Sequence, residues 1–212
     1  IPASAPPSPL ASRFLEEGVR DVECLFPDVS GVPRGKRMPA ARFAAGDELR
    51  ICQAIAMQRI TGEYPVDPVF PPEDPDVRMQ PDLDTLRRVP WSRMPRYLAL
   101  HDLFELDGRP CAFAPRTVLR EMLARYAAHG WRPVVAPEIE FYLFQAGQPD
   151  TQVPTGPGAA EGWREVGASA FSLHGLHEMA PFWDEFQAAL ETLGVRADTW
   201  LHEVGQIGRA HV

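Results

Sequence analysis

Hydrophobic and polar positions alternate most regularly over Asp21-Val22-Glu23-Cys24-Leu25-Phe26-Pro27. Val22, Cys24 and Phe26 fall on one face, which predicts a half-buried strand. Asp28-Val29-Ser30-Gly31 supplies turn residues, and Val32 to Met38 returns as a basic segment with Arg34, Lys36 and Arg37. Together they predict a hairpin. Phe14 to Gly18 reads as the end of a short helix, Phe43 to Arg59 as mixed structure, and Tyr64 to Pro95 as an irregular path with short extended pieces. Tyr97 to Phe104 predicts another strand.

The period then changes. Pro115 suits the first turn of a helix, where its missing N–H loses no hydrogen bond. Val118, Met122, Leu123 and Tyr126 form that helix's apolar stripe, and Gly130 ends it. Trp131 to Phe144 predicts a strand, and Gln145 to Ala168 a Gly/Pro-rich loop. A second amphipathic helix is expected from about His177 to Leu193. Met179, Phe182, Trp183, Phe186, Leu190 and Leu193 lie on its core face, and Gly194 stops it. Val195 to Glu203 closes the pattern as a strand.

One strand carries unusual chemistry. In Pro137-Glu138-Ile139-Glu140-Phe141-Tyr142-Leu143-Phe144, two carboxylates stand two residues apart inside an apolar run. Side chains two apart on a strand point the same way. The apolar flanks predict a buried strand, and two buried carboxylates side by side repel and are costly to desolvate. A hard divalent cation, Mg²⁺ or Mn²⁺, relieves both and prefers oxygen ligands. The plainer alternative is a solvated face on an edge strand. A second acidic position, Glu203, ends the last predicted strand.

Composition narrows the classes. The chain has 212 residues, 45% hydrophobic and 24% charged, enough to build a core. Its net charge of -8 argues against a nucleic-acid backbone as partner. Cys24, Cys52 and Cys111 have no metal-ligand spacing and read as reduced core thiols of a cytoplasmic protein. No apolar run approaches the ~18–20 residues needed to span a bilayer, so no membrane partner is expected.

The ends are expected to be unlike the middle. Residues 1–13 are Ala/Pro/Ser-rich and expected to be disordered. The chain starts at Ile1 without methionine, which suggests an incomplete N-terminus. The tail Ile207-Gly208-Arg209-Ala210-His211-Val212 is what ATC GGA AGA GCA CAC GTC encodes before a TGA stop, and those codons match a widely used sequencing adapter. Residues 206–212 are therefore expected to be non-native, with the native sequence ending near Gly205 and the chain being a fragment.

Taken in order, these segments resemble the glutamine synthetase family. Pro137 to Phe144 resembles its metal-binding Glu-x-Glu strand, and His202-Glu203-Val204-Gly205 the start of its next metal motif. Asp28 to Pro39 resembles the hairpin of its N-terminal β-grasp domain, and Asp76-Val77-Arg78-Met79-Gln80-Pro81-Asp82 the segment that closes that domain. The resemblance implies an α+β chain. A β-grasp domain over 14–108 would be followed, past the turn at Asp107-Gly108-Arg109-Pro110, by the start of a catalytic α/β domain with antiparallel strands over 109–205.

Within the family the chain is more similar to the gamma-glutamyl-polyamine (gamma-glutamylputrescine) synthetase branch. Phe26-Pro27-Asp28 to Arg34-Gly35-Lys36 is one reason. The other is that Arg50-Ile51-Cys52-Gln53-Ala54-Ile55 and its continuation occupy the region where glutamine synthetases carry Asp-Gly-Ser-Ser, whose aspartate helps bind ammonium.

The implied activity is an ATP-dependent carboxylate–amine ligase that joins the glutamate side-chain carboxylate to an amine through an acyl phosphate. By the resemblance, Glu140 and Glu203 share one Mg²⁺ or Mn²⁺, Glu138 ligates a second, and Asp198 lies near the ATP. His202 reads as structural, and Arg34, Lys36 and Arg37 as a solvated basic hairpin. The family's remaining ligands are not found before Gly205, so the chain alone is expected to be inactive. A homo-oligomer is implied for the full-length parent. An ammonia-using glutamine synthetase and a non-catalytic family member stand as the alternatives.

Overall fold

The computed structural model describes residues 8–64, 74–143 and 170–202, and the backbone of 207–211. It divides into two compact units, Ile1–Pro133 and Val134–Val212. The loop expected from Gln145 to Ala168 and the candidate ligand Glu203 lie outside the described residues.

The first unit opens with helix α1, Pro9–Glu16, which begins inside the segment expected to be disordered and ends in the stretch read as a short helix. Its start has two local causes. The Ser8 hydroxyl accepts the Ala11 N–H at 3.2 Å, and Pro9 occupies the first turn. Strand β1, Asp21–Pro27, buries Val22, Cys24 and Phe26, the face its alternation predicts. The turn to β2, Pro33–Pro39, is built on Asp28, which is 2% exposed. Asp28 Oδ1 accepts the Ser30 and Val32 N–H groups, and Oδ2 accepts Arg34 Nε at 2.8 Å. The hairpin also needs a glycine, since a Cβ on Gly35 would fall 1.9 Å from the Cys24 carbonyl oxygen.

The chain continues through α2 (Ala40–Ala44), β3 (Leu49–Cys52), β4 (Asp76–Pro81), β5 (Arg87–Arg88) and β6 (Arg96–Phe104). The sheet order is β2-β1-β6-β4-β3, with β5 paired to β6. β1 and β6 run parallel while the other pairs are antiparallel, so the sheet is mixed. Phe14, Val22, Phe26, Phe43, Val77, Met79, Tyr97 and Leu103 fill the core.

Helix α3, Pro115–Ala128, starts where its proline predicts, and Gly130 follows it at φ 71°. Its stripe of Val118, Met122, Leu123 and Tyr126 is exposed rather than buried, and Thr117 is its one buried residue. Charge fixes its first turns. Arg116 bonds Asp102 and Asp82, and Arg120 reaches Asp102 at 2.6 Å.

In the second unit, the strand expected over 131–144 is confined to β7, Glu138–Tyr142. Pro133 and Pro137, which lack an N–H to pair, precede it. The long helix expected from His177 is two helices, α4 (Leu173–Glu178) and α5 (Ala180–Leu193). They part at Met179, and Pro181 sits in the first turn of α5. Gly194 ends α5 in the left-handed conformation, φ 73°. β8, Thr199–His202, and β9, Ile207–His211, complete a three-stranded antiparallel sheet in the order β7-β9-β8. The central strand is thus formed by the tail that the sequence reading sets aside. Among the described residues, no helix is long and apolar enough to cross a membrane.

Candidate functional site

β7 has two unlike sides. The Phe141 ring packs on Phe182, Trp183 and Phe186 of α5, with centroids 5.8, 5.9 and 6.2 Å away. From β8, Trp200 meets Trp183 and Phe186 at 5.3 and 5.4 Å. Strand alternation therefore turns Phe141 toward the helix and Glu138 and Glu140 away from it.

The two glutamates share one side, as their spacing predicts, but they are exposed. The expectation of a buried strand is corrected here, since even Ile139 is 47% exposed. An apolar neighbour in sequence shows that a strand has an apolar side, not that the opposite side is covered. With water at both carboxylates, their repulsion is screened and the desolvation cost is small.

The other candidates are spread along β8. Asp198 is exposed, one residue before the strand. Register relates β8 to β7 across β9. Glu138 and Thr199 both pair with His211, and Glu140 and Leu201 both pair with Arg209. Strands two apart in a sheet are separated by about 10 Å. Thr199 and Leu201 thus lie on the glutamate side, and Trp200 and His202 on the helix side. Among the described residues, no three His, Cys, Asp or Glu side chains are grouped to hold a metal ion.

His202, read from the sequence as structural, is buried. It is 6% exposed and packs against Gly175 of α4. A Cβ on Gly175 would stand 2.9 Å from His202 Cδ2. Sequence reading missed this contact, because a glycine inside Leu-His-Gly-Leu-His carries no turn signal.

The three basic side chains of the hairpin find partners within their own unit. Arg34 bonds Asp28, Arg37 lies 3.1 Å from Glu23, and Lys36 Nζ donates to the Arg50 carbonyl at 2.7 Å. Burial raises the Asp28 carboxyl, but hydrogen bonds from Arg34, Val32 and Ser30 outweigh it and hold the group below the ordinary range. The thiols of Cys24 and Cys111 are both pushed up to about 11 by burial.

Comparison with known proteins joins this geometry to a family. Residues 112–209 match the family described as glutamine synthetase, catalytic domain. A glutamine synthetase of Pyrococcus abyssi is 27% identical over 186 residues, which are 87% of this chain and 37% of that protein. The gamma-glutamylethanolamide synthetase GlnA4 of Streptomyces coelicolor is 31% identical over 166 residues, 65% of this chain and 33% of that protein. The chain thus spans well under half the length of either relative. A solved structure described as a GmaS/ADP complex shares the fold, with a TM-score of 0.71 at 24% identity over 95% of this chain and 43% of that one. Over residues 112–209, the chain is similar to the glutamine synthetase catalytic domain family.

Proposed function

We propose that the chain carries part of an ATP-dependent ligase that joins the side-chain carboxylate of glutamate to an amine. The observation that carries this reading is the pair Glu138 and Glu140, both on the side of β7 away from α5, inside the segment that matches the family.

In the reading, Glu138, Glu140 and Glu203 hold Mg²⁺ or Mn²⁺, and Asp198 lies near the nucleotide. The donor set suits the group, since carboxylate oxygens are the ligands a hard cation takes. Glu203 is two residues on from Leu201, which pairs across β9 from Glu140. The cation supplies charge that offsets the repulsion between an attacking carboxylate and the γ-phosphate of ATP. The chain's own part is to place two carboxylates on one rigid strand, at an open face where substrate has access. The carboxylate takes the γ-phosphoryl group as ADP leaves, and the amine then attacks the acyl phosphate, forming the amide as phosphate leaves and the amine nitrogen loses a proton.

The amine is larger than ammonia in this reading. Its support is the Arg50 to Ile55 segment, which stands in place of an Asp-Gly-Ser-Ser tetrad, and the likeness to a relative described as a gamma-glutamylethanolamide synthetase. We also read residues 14–108 as a β-grasp domain and the full-length parent as a homo-oligomer.

The test has two parts. The purified chain is titrated with Mn²⁺, alongside Glu138→Gln and Glu140→Gln. Each variant is expected to lose at least as much affinity as the roughly 10–100-fold typical of changes beyond the ligands themselves. Equal affinity in all three proteins removes the site. A protein of the relatives' full length is then assayed for glutamate-dependent ATP turnover with putrescine and with ammonium. Putrescine is the expected substrate, and the 212-residue chain alone is expected to turn over neither.

A further inference from the structure

We propose that Arg78, with Arg50 beside it, binds the carboxylate of a small molecule with an apolar body, on the outer face of the first unit's sheet. The site lies outside residues 112–209 and stands apart from the metal reading above.

Arg78 carries a donor without an acceptor. Its Nε is buried and has no hydrogen-bond partner. Among the described residues, the other half-buried arginines of this unit are satisfied. Arg34, Arg96 and Arg116 bond carboxylates, and Arg87 bonds the Asp84 and Leu86 carbonyls. Carboxylates near Arg78 are committed elsewhere. Its Nη2 lies 3.7 Å from where a Cβ on Gly108 would stand, beside the turn at Asp107. Asp107 Oδ2 accepts Arg109 Nε at 2.8 Å, and Glu105 Oε1 accepts Gln53 Nε2 at 3.0 Å. Asp76, two residues back on the same face, is exposed and forms no ion pair with it. A buried donor left unmet costs its full desolvation penalty.

Register sharpens the problem. Val77 and Met79 point into the core, so Arg78 projects from the opposite face of β4. Arg50 stands directly opposite it on β3, and Phe104 on β6. Like charges directly opposite on neighbouring strands are destabilising. Glu48, 2.5 Å from Arg50, offsets one of the two charges, and Arg78 has nothing equivalent. One uncompensated positive charge therefore remains in the row Arg50, Arg78, Phe104. A single negative charge balances it, and the planar guanidinium fork matches a planar carboxylate. A phosphate dianion would add a second negative charge next to Glu48. Half-buried Phe104 gives the ligand's body an apolar surface. The row opens to solvent at the sheet's edge strand β3, where the Arg50 side chain is 48% exposed.

The experiment titrates the ¹⁵N-labelled 212-residue chain with benzoate at constant ionic strength. The Arg78 Nε–Hε signal, assigned by its absence from Arg78→Met, is expected to shift and saturate, together with backbone amides of β3 and β4. Read from those amides, Arg78→Met is expected to weaken benzoate about tenfold or more, the scale of a lost hydrogen bond to a charged group. Arg50→Met is expected to weaken it by a smaller factor. Arg37→Met, whose partner is Glu23, is expected to leave it unchanged. Acetate and inorganic phosphate are both expected to bind more weakly than benzoate. Arg78→Met is also expected to keep or raise Tm, because it removes a buried donor that nothing satisfies. A shift that grows without saturating overturns the site, and so does equal weakening by Arg37→Met, which marks unspecific attraction to positive charge. Phosphate binding more tightly than benzoate overturns the assignment to a carboxylate. A fall in Tm of Arg78→Met like that of a broken ion pair shows a structural arginine and overturns the proposal as well.

Discussion

Arg116 Nε lies 2.8 Å from Asp102 Oδ1, and through this bond a helix with an exposed apolar stripe is held to the first sheet. Asp102 is 13% exposed, and Arg120 reaches the same oxygen at 2.6 Å. Burial raises the Asp102 carboxyl, but the two guanidinium groups outweigh it and hold it below the ordinary range. Replacing Arg116 by Met leaves two carboxylates sharing the one exposed partner, Arg120. The expected loss is about 2 kcal/mol, the scale of hydrogen bonds to charged groups. Urea unfolding of the first unit checks it. Arg116→Lys is expected to recover little, since an ammonium lacks the planar fork that reaches both Asp82 and Asp102.

His101 makes stability depend on pH near neutrality. The residue is 2% exposed and its Nδ1 lies 2.9 Å from the Ala99 carbonyl. Burial lowers its pKa from 6.5, against the raising effect of that bond and of Asp102. A depressed folded-state pKa means that the unfolded chain takes the proton first. The stabilisation is therefore complete above pH 6.5 and is lost as pH falls from there through the folded-state value. Wild-type Tm is expected to start falling just below pH 6.5, and His101→Gln to flatten that part of the profile.

The thiols separate by reactivity. Cys24 and Cys111 are buried, with thiols pushed up to about 11, while Cys52 is partly exposed. Iodoacetamide at pH 8 is expected to modify Cys52 in the native protein, and the other two only after denaturation, because the thiolate is the nucleophile. Mass spectrometry reads the sites directly. Modification of all three at equal rates in the folded chain would contradict this burial.

What the sequence shows and what it hides follow from range. β1 is legible because strict alternation puts Val22, Cys24 and Phe26 on one face, and one face is all a half-buried strand needs. The face of α5 and its stop at Gly194 are equally local. The Glu138 and Glu140 pair is legible as a pair, but its exposure is not, because what covers a face comes from elsewhere in the chain. α1 hides behind a Pro/Ser composition that also spells a cap and a first turn. The stripe of α3 is periodic yet exposed, since Arg116 and Arg120, one turn apart, fix the helix by charge instead. The Gly175 contact depends on a partner 27 residues away, which no local pattern encodes.

The place of β9 between β7 and β8 makes the second unit's sheet hang on its last strand. β7 and β8 do not pair with each other there, so each owes its inter-strand bonds in this sheet to residues 207–211. Any chain with different residues at those positions must supply an equivalent strand, or both flanking strands present open hydrogen-bonding edges. Open edges recruit other chains. A shortened version of this sequence would therefore face self-association before it faced any question of catalysis, because the closure of the second unit's sheet depends on residues 207–211.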